Sequence, residues 1–270
     1  MFAPELLTAL AGVAAGCLGA LLGIGGGVLL VPLLNVGLGV PFRETTAISL
    51  IAVLAMSSAM AVSVAGRQLL NPRLAIFLLL FSVTGASLGA ELLDWLPAAI
   101  YPRLFGLTAA FIAVVMVLRI DQRNVLIDPS TPAGLFDGRF HDEDTGREVS
   151  YRVRRLPLAA GGALLAGMLA SFIGIGGGIL VVPSLNSWCG VPMRVAAATS
   201  VFMIGITAVP AAIEHWAGGF LGDFQFAGFA ALGVLAGFRF GQWLSARARV
   251  RWLKLLMAAL LAIVALEYLF

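Results

Sequence analysis

Apolar residues along this 270-residue chain gather into two sets of five runs. The first set falls near residues 5–22, 25–40, 45–65, 73–93 and 100–118, the second near 157–173, 176–190, 195–214, 224–244 and 252–269. Long uninterrupted runs of this kind predict helices on a membrane scale. The first two runs of each set are at or below the roughly 20 residues that cross about 30 Å of hydrocarbon. Each short pair is therefore read either as a re-entrant hairpin or as two tilted spans. The organisation expected is a first transmembrane repeat over 1–118, a linker over 119–156 and a second repeat over 157–270.

The linker is polar. Asp121, Arg123, Asp128, Pro129, Pro132, Asp137, Arg139, His141, Asp142, Glu143, Asp144, Arg147 and Glu148 follow one another closely. Within it, Val149, Tyr151 and Val153 alternate with polar residues after an Asp142-Glu143-Asp144-Thr145-Gly146 turn, a pattern that predicts a small β-hairpin. His141 beside three acidic residues is read as part of a solvated turn rather than a metal site.

The two sets of runs are related in sequence. Gly23-Ile24-Gly25-Gly26-Gly27-Val28-Leu29-Leu30-Val31-Pro32-Leu33-Leu34-Asn35 returns as Gly174-Ile175-Gly176-Gly177-Gly178-Ile179-Leu180-Val181-Val182-Pro183-Ser184-Leu185-Asn186, an offset of 174 − 23 = 151. Extended to Leu50 and Val201, the two 28-residue windows share 16 identities, so the chain contains an internal duplication.

Composition places the duplication in a bilayer: 60% of residues are hydrophobic, 11% are charged and mean hydropathy is +1.01, against roughly 45–50% apolar content in soluble domains. The net charge of +3 does not mark a nucleic-acid partner, because the arginines lie between apolar runs rather than on one basic face. Cys17 and Cys189 do not correspond under the offset and are read as packing residues. Met1 to Glu5 has no signal-peptide pattern, so the first run is expected to stay in the fold. Arg119, Arg123, Arg139, Arg147, Arg152, Arg154 and Arg155 assign the linker to the cytoplasm. Arg67 and Arg73 occupy a loop whose counterpart at 215–223 has neither Lys nor Arg, whereas Arg247, Arg249, Arg251 and Lys254 crowd the next one. That reversal predicts inverted-topology repeats with an odd number of crossings per half and both termini periplasmic, in preference to a parallel repeat.

A Gly-Ile-Gly-Gly-Gly run breaks a helix, since each glycine costs roughly 1 kcal/mol relative to Ala in a helix interior. Close helix packing is the simplest use of such glycines. A helix that restarts after the break also presents backbone N–H groups and the positive end of its dipole, which suits an anion near the midplane. The candidate amides are those of Gly23, Gly25, Gly26 and Gly27 and of Gly174, Gly176, Gly177 and Gly178. A dinucleotide fingerprint is excluded by context, because neither copy sits in a βαβ unit. Pro32 and Pro183 support the break by freeing carbonyls, and Asn35 and Asn186 either bond those carbonyls or reach a substrate. Among the hydroxyls of the following runs, Ser49 and Ser200 match under the offset, and with Thr46 and Thr199 they are the candidate ligands. Thr45, Ser57, Ser58 and Thr207 are expected to bond their own helices. Arg43 and Arg194 match but are expected to snorkel near a surface. Arg239 lies inside an apolar run near Gln242, a candidate intramembrane charge. Glu91, Asp94 and the Glu214-His215 pair are read as helix-end caps rather than carriers of coupling protons. Neither histidine nor cysteine has a catalytic or metal-ligand partner at useful spacing, so no enzyme and no cofactor is expected.

Two copies of Gly-x-Gly-Gly-Gly followed by an apolar stretch and Pro, then Gly-Val-Pro, Arg and Ala-x-Ser, resemble the sulfite exporter TauE/SafE family over nearly the whole chain. The resemblance implies a bacterial multi-pass inner-membrane transporter of sulfur-containing anions such as sulfite, thiosulfate or organosulfonates. The family's motif positions carry over to the two glycine clusters, Pro32, Pro183, Asn35, Asn186 and the Ser49 and Ser200 regions. The first copy reads Ala47-Ile48-Ser49 where the second reads Ala198-Thr199-Ser200, so the two half-sites need not contribute equally. The function expected is secondary transport of a small sulfur oxyanion or sulfonate by alternating access, with the lipid bilayer as surroundings, a proton or sodium as coupling ion and no nucleic acid. An anion channel on the same scaffold is the alternative. The fold expected is an all-α polytopic membrane protein of two homologous halves with Gly-broken or re-entrant helices.

Overall fold

A computed structural model describes residues 4–22, 25–64, 69–93, 97, 100–118, 134–142, 147–173, 178–219, 224–247 and 250–269. The first half contains α1 (Pro4–Leu22), α2 (Gly27–Leu38), α3 (Phe42–Val64), α4 (Pro72–Leu93) and α5 (Ile100–Leu118). The second contains α6 (Leu156–Ile173), α7 (Gly178–Pro183), α8 (Met193–Ala217), α9 (Phe224–Arg247) and α10 (Val250–Leu269). Each predicted apolar run thus starts and ends within a few residues of a helix. The run at 176–190 is divided: α7 stops at Pro183 and a π-helical turn follows over Ser184–Trp188. Its i→i+5 bond from the Cys189 N–H to the Ser184 carbonyl is 3.2 Å long, the wider closure characteristic of a π-turn.

The linker hairpin is present. Strand β1 (Gly138–Asp142) pairs antiparallel with β2 (Arg147–Tyr151), with Phe140 opposite Val149 and Gly138 opposite Tyr151. Phe140 and Tyr151 are buried and join the largest apolar cluster, which also takes in Leu74, Phe105, Val182 and Leu185. The hairpin is therefore packed onto the helices rather than suspended in solvent.

Helix pairing has an exchange symmetry. α1 packs on α9 and α6 on α4, α3 packs on α9 and α8 on α4, and α3 pairs with α8 as α5 does with α10. Exchanging the halves maps this set of pairs onto itself, the tertiary counterpart of the duplication. Small residues allow the closest approaches. A Cβ on Gly12 of α1 would stand 2.6 Å from the Ala230 carbonyl of α9, and one on Gly89 of α4 the same distance from the Met168 carbonyl of α6. Along α1 and α9, Gly12 meets Ala230, Val13 meets Gly237 and Cys17 meets Gly241, so the two helices run parallel. Gly85 meets Leu164 and Gly89 meets Met168, so α4 and α6 also run parallel. Backbones brought this close gain dispersion contacts that lipid tails cannot supply.

Among the described residues, α1, α3, α4 and α8 are long and apolar enough to cross a membrane. Their outer faces keep large apolar side chains exposed, among them Leu10, Ile76, Leu80, Ile213 and Trp216. An outward apolar surface of this extent is the face that lipid covers, and the chain is a multi-pass membrane protein.

Candidate functional site

Of the first glycine cluster, Gly25, Gly26 and Gly27 are described, leading into α2. Gly25 and Gly26 take φ of 85° and 72°, left-handed values that favour glycine. The Gly26 carbonyl then accepts the Leu29 and Leu30 N–H groups at 3.1 and 3.0 Å, which starts α2. Gly25, Gly26 and Gly27 are all buried. A Cβ at Gly19 of α1 would collide with the Gly26 nitrogen, and one at Gly26 would lie 3.1 Å from the Ala15 carbonyl and 3.4 Å from the Met56 sulfur. Glycine thus permits close packing of this segment on α1 and α3. Gly23, Gly174, Gly176 and Gly177 lie outside the described residues, and Gly178 opens α7.

The far ends of the two broken elements are built alike. Asn35 donates from Nδ2 to the Val40 carbonyl at 2.8 Å, and Asn186 donates to the Val191 carbonyl at 2.9 Å. The Val40 N–H reaches the Leu34 carbonyl and the Val191 N–H the Leu185 carbonyl, around Gly39 and Gly190 with φ of 69° and 75°. Each asparagine clasps the chain as it leaves the element, satisfying a carbonyl that would otherwise lack a partner. Pro32 lies inside α2, which continues through it to Leu38, whereas Pro183 ends α7. Ser184 takes part in the difference: its counterpart Leu33 is 40% exposed, while Ser184 is buried with its Oγ directed at Gly162 of α6.

Hydroxyls line the first turns of α3 and α8. Thr45 and Thr46 bond back to the Pro41 and Phe42 carbonyls at 2.8 Å. Ser49, Thr199 and Ser200 are fully buried. Thr199 accepts the Asn71 N–H at 3.3 Å. The Ser200 hydroxyl, in contrast, has no hydrogen-bond partner among the described residues.

Asn71 is a buried polar residue beside the candidate Thr199 that sequence reasoning missed. Its Oδ1 accepts the Leu74 N–H at 3.1 Å and so caps α4 ahead of Pro72, and its Nδ2 donates to the Phe136 carbonyl at 2.8 Å and the Tyr151 hydroxyl at 3.0 Å. An Asn directly before Pro at a helix start is a legible cap signal; its contacts with the hairpin are not. Burial pushes the Tyr151 hydroxyl above its ordinary pKa, against the bond from Asn71, and the nearby Asp137 carboxylate adds to the rise.

Further polar contacts follow α8. Ser82 of α4 and Thr207 share a hydrogen bond of 2.9 Å, and Asn71 meets Thr199 while Ser82 meets Thr207, so α4 and α8 run parallel. Ser57 of α3 donates to the Phe202 carbonyl at 3.2 Å. Ser171 of α6 donates to the Ala86 carbonyl at 2.6 Å, and its own carbonyl is 3.4 Å from Nε2 of the buried His215. Ser82 and Ser171 are isolated hydroxyls in apolar runs, and the sequence carries no signal that singles them out. Glu214, Glu91 and Arg239 are exposed. Gln242, near Arg239, turns inward and donates to the Ser63 hydroxyl at 2.7 Å. Among the described residues no group of three or more His, Cys, Asp or Glu side chains could hold a metal.

Comparison with known proteins agrees with this architecture. The model of the family described as sulfite exporter TauE/SafE matches residues 8–268. A "Probable membrane transporter protein YunE" from Bacillus subtilis (strain 168) is 25% identical over 215 residues, 77% of this chain and 77% of that protein. No solved structure matches. A duplicated, exchange-symmetric set of apolar helices matched by this family over almost its whole length leads to one assignment: the chain belongs to the sulfite exporter TauE/SafE family and is a membrane transporter.

Proposed function

We propose that the protein carries a small sulfur-containing anion (sulfite, thiosulfate or an organosulfonate) across the bacterial inner membrane by alternating access between two inverted repeats. The parallel packing of α4 with α6 and α8, and of α1 with α9, supports the inversion. On the premise of this reading that α9 runs opposite to α8, α1 points opposite to its equivalent α6. The linker then lies on the cytoplasmic side with its arginines, and both termini are periplasmic.

The anion is held by backbone N–H groups at the Gly23–Gly27 and Gly174–Gly178 breaks and by hydroxyls of α3 and α8. Fixed cations at the site would oppose release, and backbone amides provide charge complementarity without them. The observation that carries the hydroxyl site is Ser200. A buried hydroxyl without a partner costs about 1–3 kcal/mol, a penalty that a bound oxyanion removes. Its counterpart Ser49 already has a partner, so the second half contributes more to binding.

The test is anion counterflow in proteoliposomes across sulfite, thiosulfate, taurine and isethionate, with the wild type and S200A. We expect saturable counterflow of at least one anion, weakened about tenfold or more in apparent affinity by S200A while the unfolding temperature is unchanged or raised. Flux without saturation or counterflow would indicate a channel, and S200A with wild-type affinity would remove Ser200 from the site.

A further inference from the structure

The two halves share a scaffold and some of its polar groups, but not all of them. On α8, Thr199, Thr207, Pro210 and His215 stand where α3 has Ile48, Met56, Ala59 and Val64 under the 151-residue offset. The partners of these groups are unmatched in the same way: Ser82 corresponds to Gly233 and Ser171 to Ala20. Both central helices carry hydroxyls, but only α8 also has an internal proline and a histidine.

His215 is the notable member. Among the described residues, the buried polar and charged side chains are Ser, Thr and Asn apart from His215, which is 2% exposed. Imidazole is the side chain in that group whose unperturbed titration falls between pH 5 and 8. Among the described residues, the elements around it bring the following polar and charged groups. α6 offers the Ser171 carbonyl at 3.4 Å. α3 brings the Arg43 guanidinium, whose charge acts on His215 through space, with Glu44 next to it in sequence. Glu91, a little over one turn past Ala86 on α4, and Glu214, beside His215 on α8, are exposed. Helix capping needs no buried imidazole, and the exposed Glu214 would serve a helix end as well.

We propose that His215 is the proton-binding site that couples transport to a pH gradient, acting on the anion site through α8. This rests on the transport reading above. Ser200 and His215 belong to one helix, roughly 22 Å apart at 1.5 Å per residue. Pro210 lies between them and has no N–H to give the helix ladder, so α8 can bend there. The proton adds to an imidazole nitrogen and leaves from it, with no covalent chemistry. Its charge, added in a buried setting, favours a different packing of the C-terminal end of α8 against α3 and α6, and that bias reaches Thr199 and Ser200 along the helix.

The experiment uses the full chain in proteoliposomes loaded with pyranine. Thiosulfate and isethionate serve as probes because they do not titrate between pH 6 and 7. We expect counterflow of the transported anion, a pyranine response to its gradient, and about tenfold accumulation per unit of pH difference for one coupled proton. His215→Gln should keep counterflow and lose the accumulation and the pyranine response. A wild type that counterflows without moving protons, or an H215Q protein that still accumulates the anion, overturns the coupling site and leaves the transporter standing. Absence of counterflow for every anion overturns the transport reading and this inference with it. Should H215Q misfold, imidazole NMR of the His141→Gln protein, which retains His215 alone, decides. The midpoint is expected to shift by half a unit or more on addition of the counterflowing anion, and an unmoved midpoint overturns the proposal.

Discussion

Replacing Asn71 by alanine separates the linker hairpin from the helices at one defined point. The side chain makes three hydrogen bonds: the cap on the Leu74 N–H, and donations to the Phe136 carbonyl and the Tyr151 hydroxyl. Loss of a helix cap costs about 1 kcal/mol. Leaving the hairpin's carbonyl and hydroxyl short of a partner in a buried place adds about 1–3 kcal/mol in each case, less what water can restore. A loss of about 3 kcal/mol follows, or roughly 6 °C in unfolding temperature at about 2 °C per kcal/mol for a chain above 150 residues. The five tryptophans allow unfolding of the detergent-solubilised protein to be followed by intrinsic fluorescence. Tyr151→Phe, alone and combined with N71A, completes a cycle whose coupling energy should be about 1 kcal/mol. An N71A shift below about 2 °C, or strict additivity of the two changes, would refute the idea that the Asn71 side chain ties the hairpin to α4.

Gly12→Ala should destabilise by about 1–3 kcal/mol, because its Cβ would stand 2.6 Å from a backbone carbonyl that cannot move aside. Gly161→Ala, whose Cβ meets nothing within 4 Å, should be neutral or stabilising by up to about 1 kcal/mol; thermal unfolding of both variants checks the contrast. Asn186→Ala removes the bond to the Val191 carbonyl and should lower stability by about 1–2 kcal/mol, with a smaller loss for Asn35→Ala because Asn35 is less buried. If both variants instead keep their unfolding temperature and lose anion affinity, the asparagines act on the substrate and not on the chain ends.

The repeat at an offset of 151 was legible as paired glycine clusters, prolines and asparagines, and it reappears as matched clasps at Asn35 and Asn186. The matched motif also hid a difference: the same proline lies inside α2 and ends α7, and the residue after it is the exposed Leu33 in one copy and the buried Ser184 facing Gly162 in the other. Of the candidate ligands, Ser200 and Thr199 were readable as residues but not as states. That one hydroxyl has no partner while its neighbour accepts the Asn71 N–H depends on α4, far away in sequence.

The sequence by itself determined the number and extent of the apolar helices, the duplication, the linker hairpin and the family. Those follow from run length, alternation and repetition, which are local properties of the chain. The tertiary structure alone decided that α1 lies along α9 and α4 along α6, that the hairpin is held by Asn71, and that His215 is buried beside Ser171. The physical reason is the bilayer. A helix that is apolar on its lipid face as well as its protein face carries little periodicity to say which side is inward, so small-residue contacts and a few hydrogen bonds select the partners.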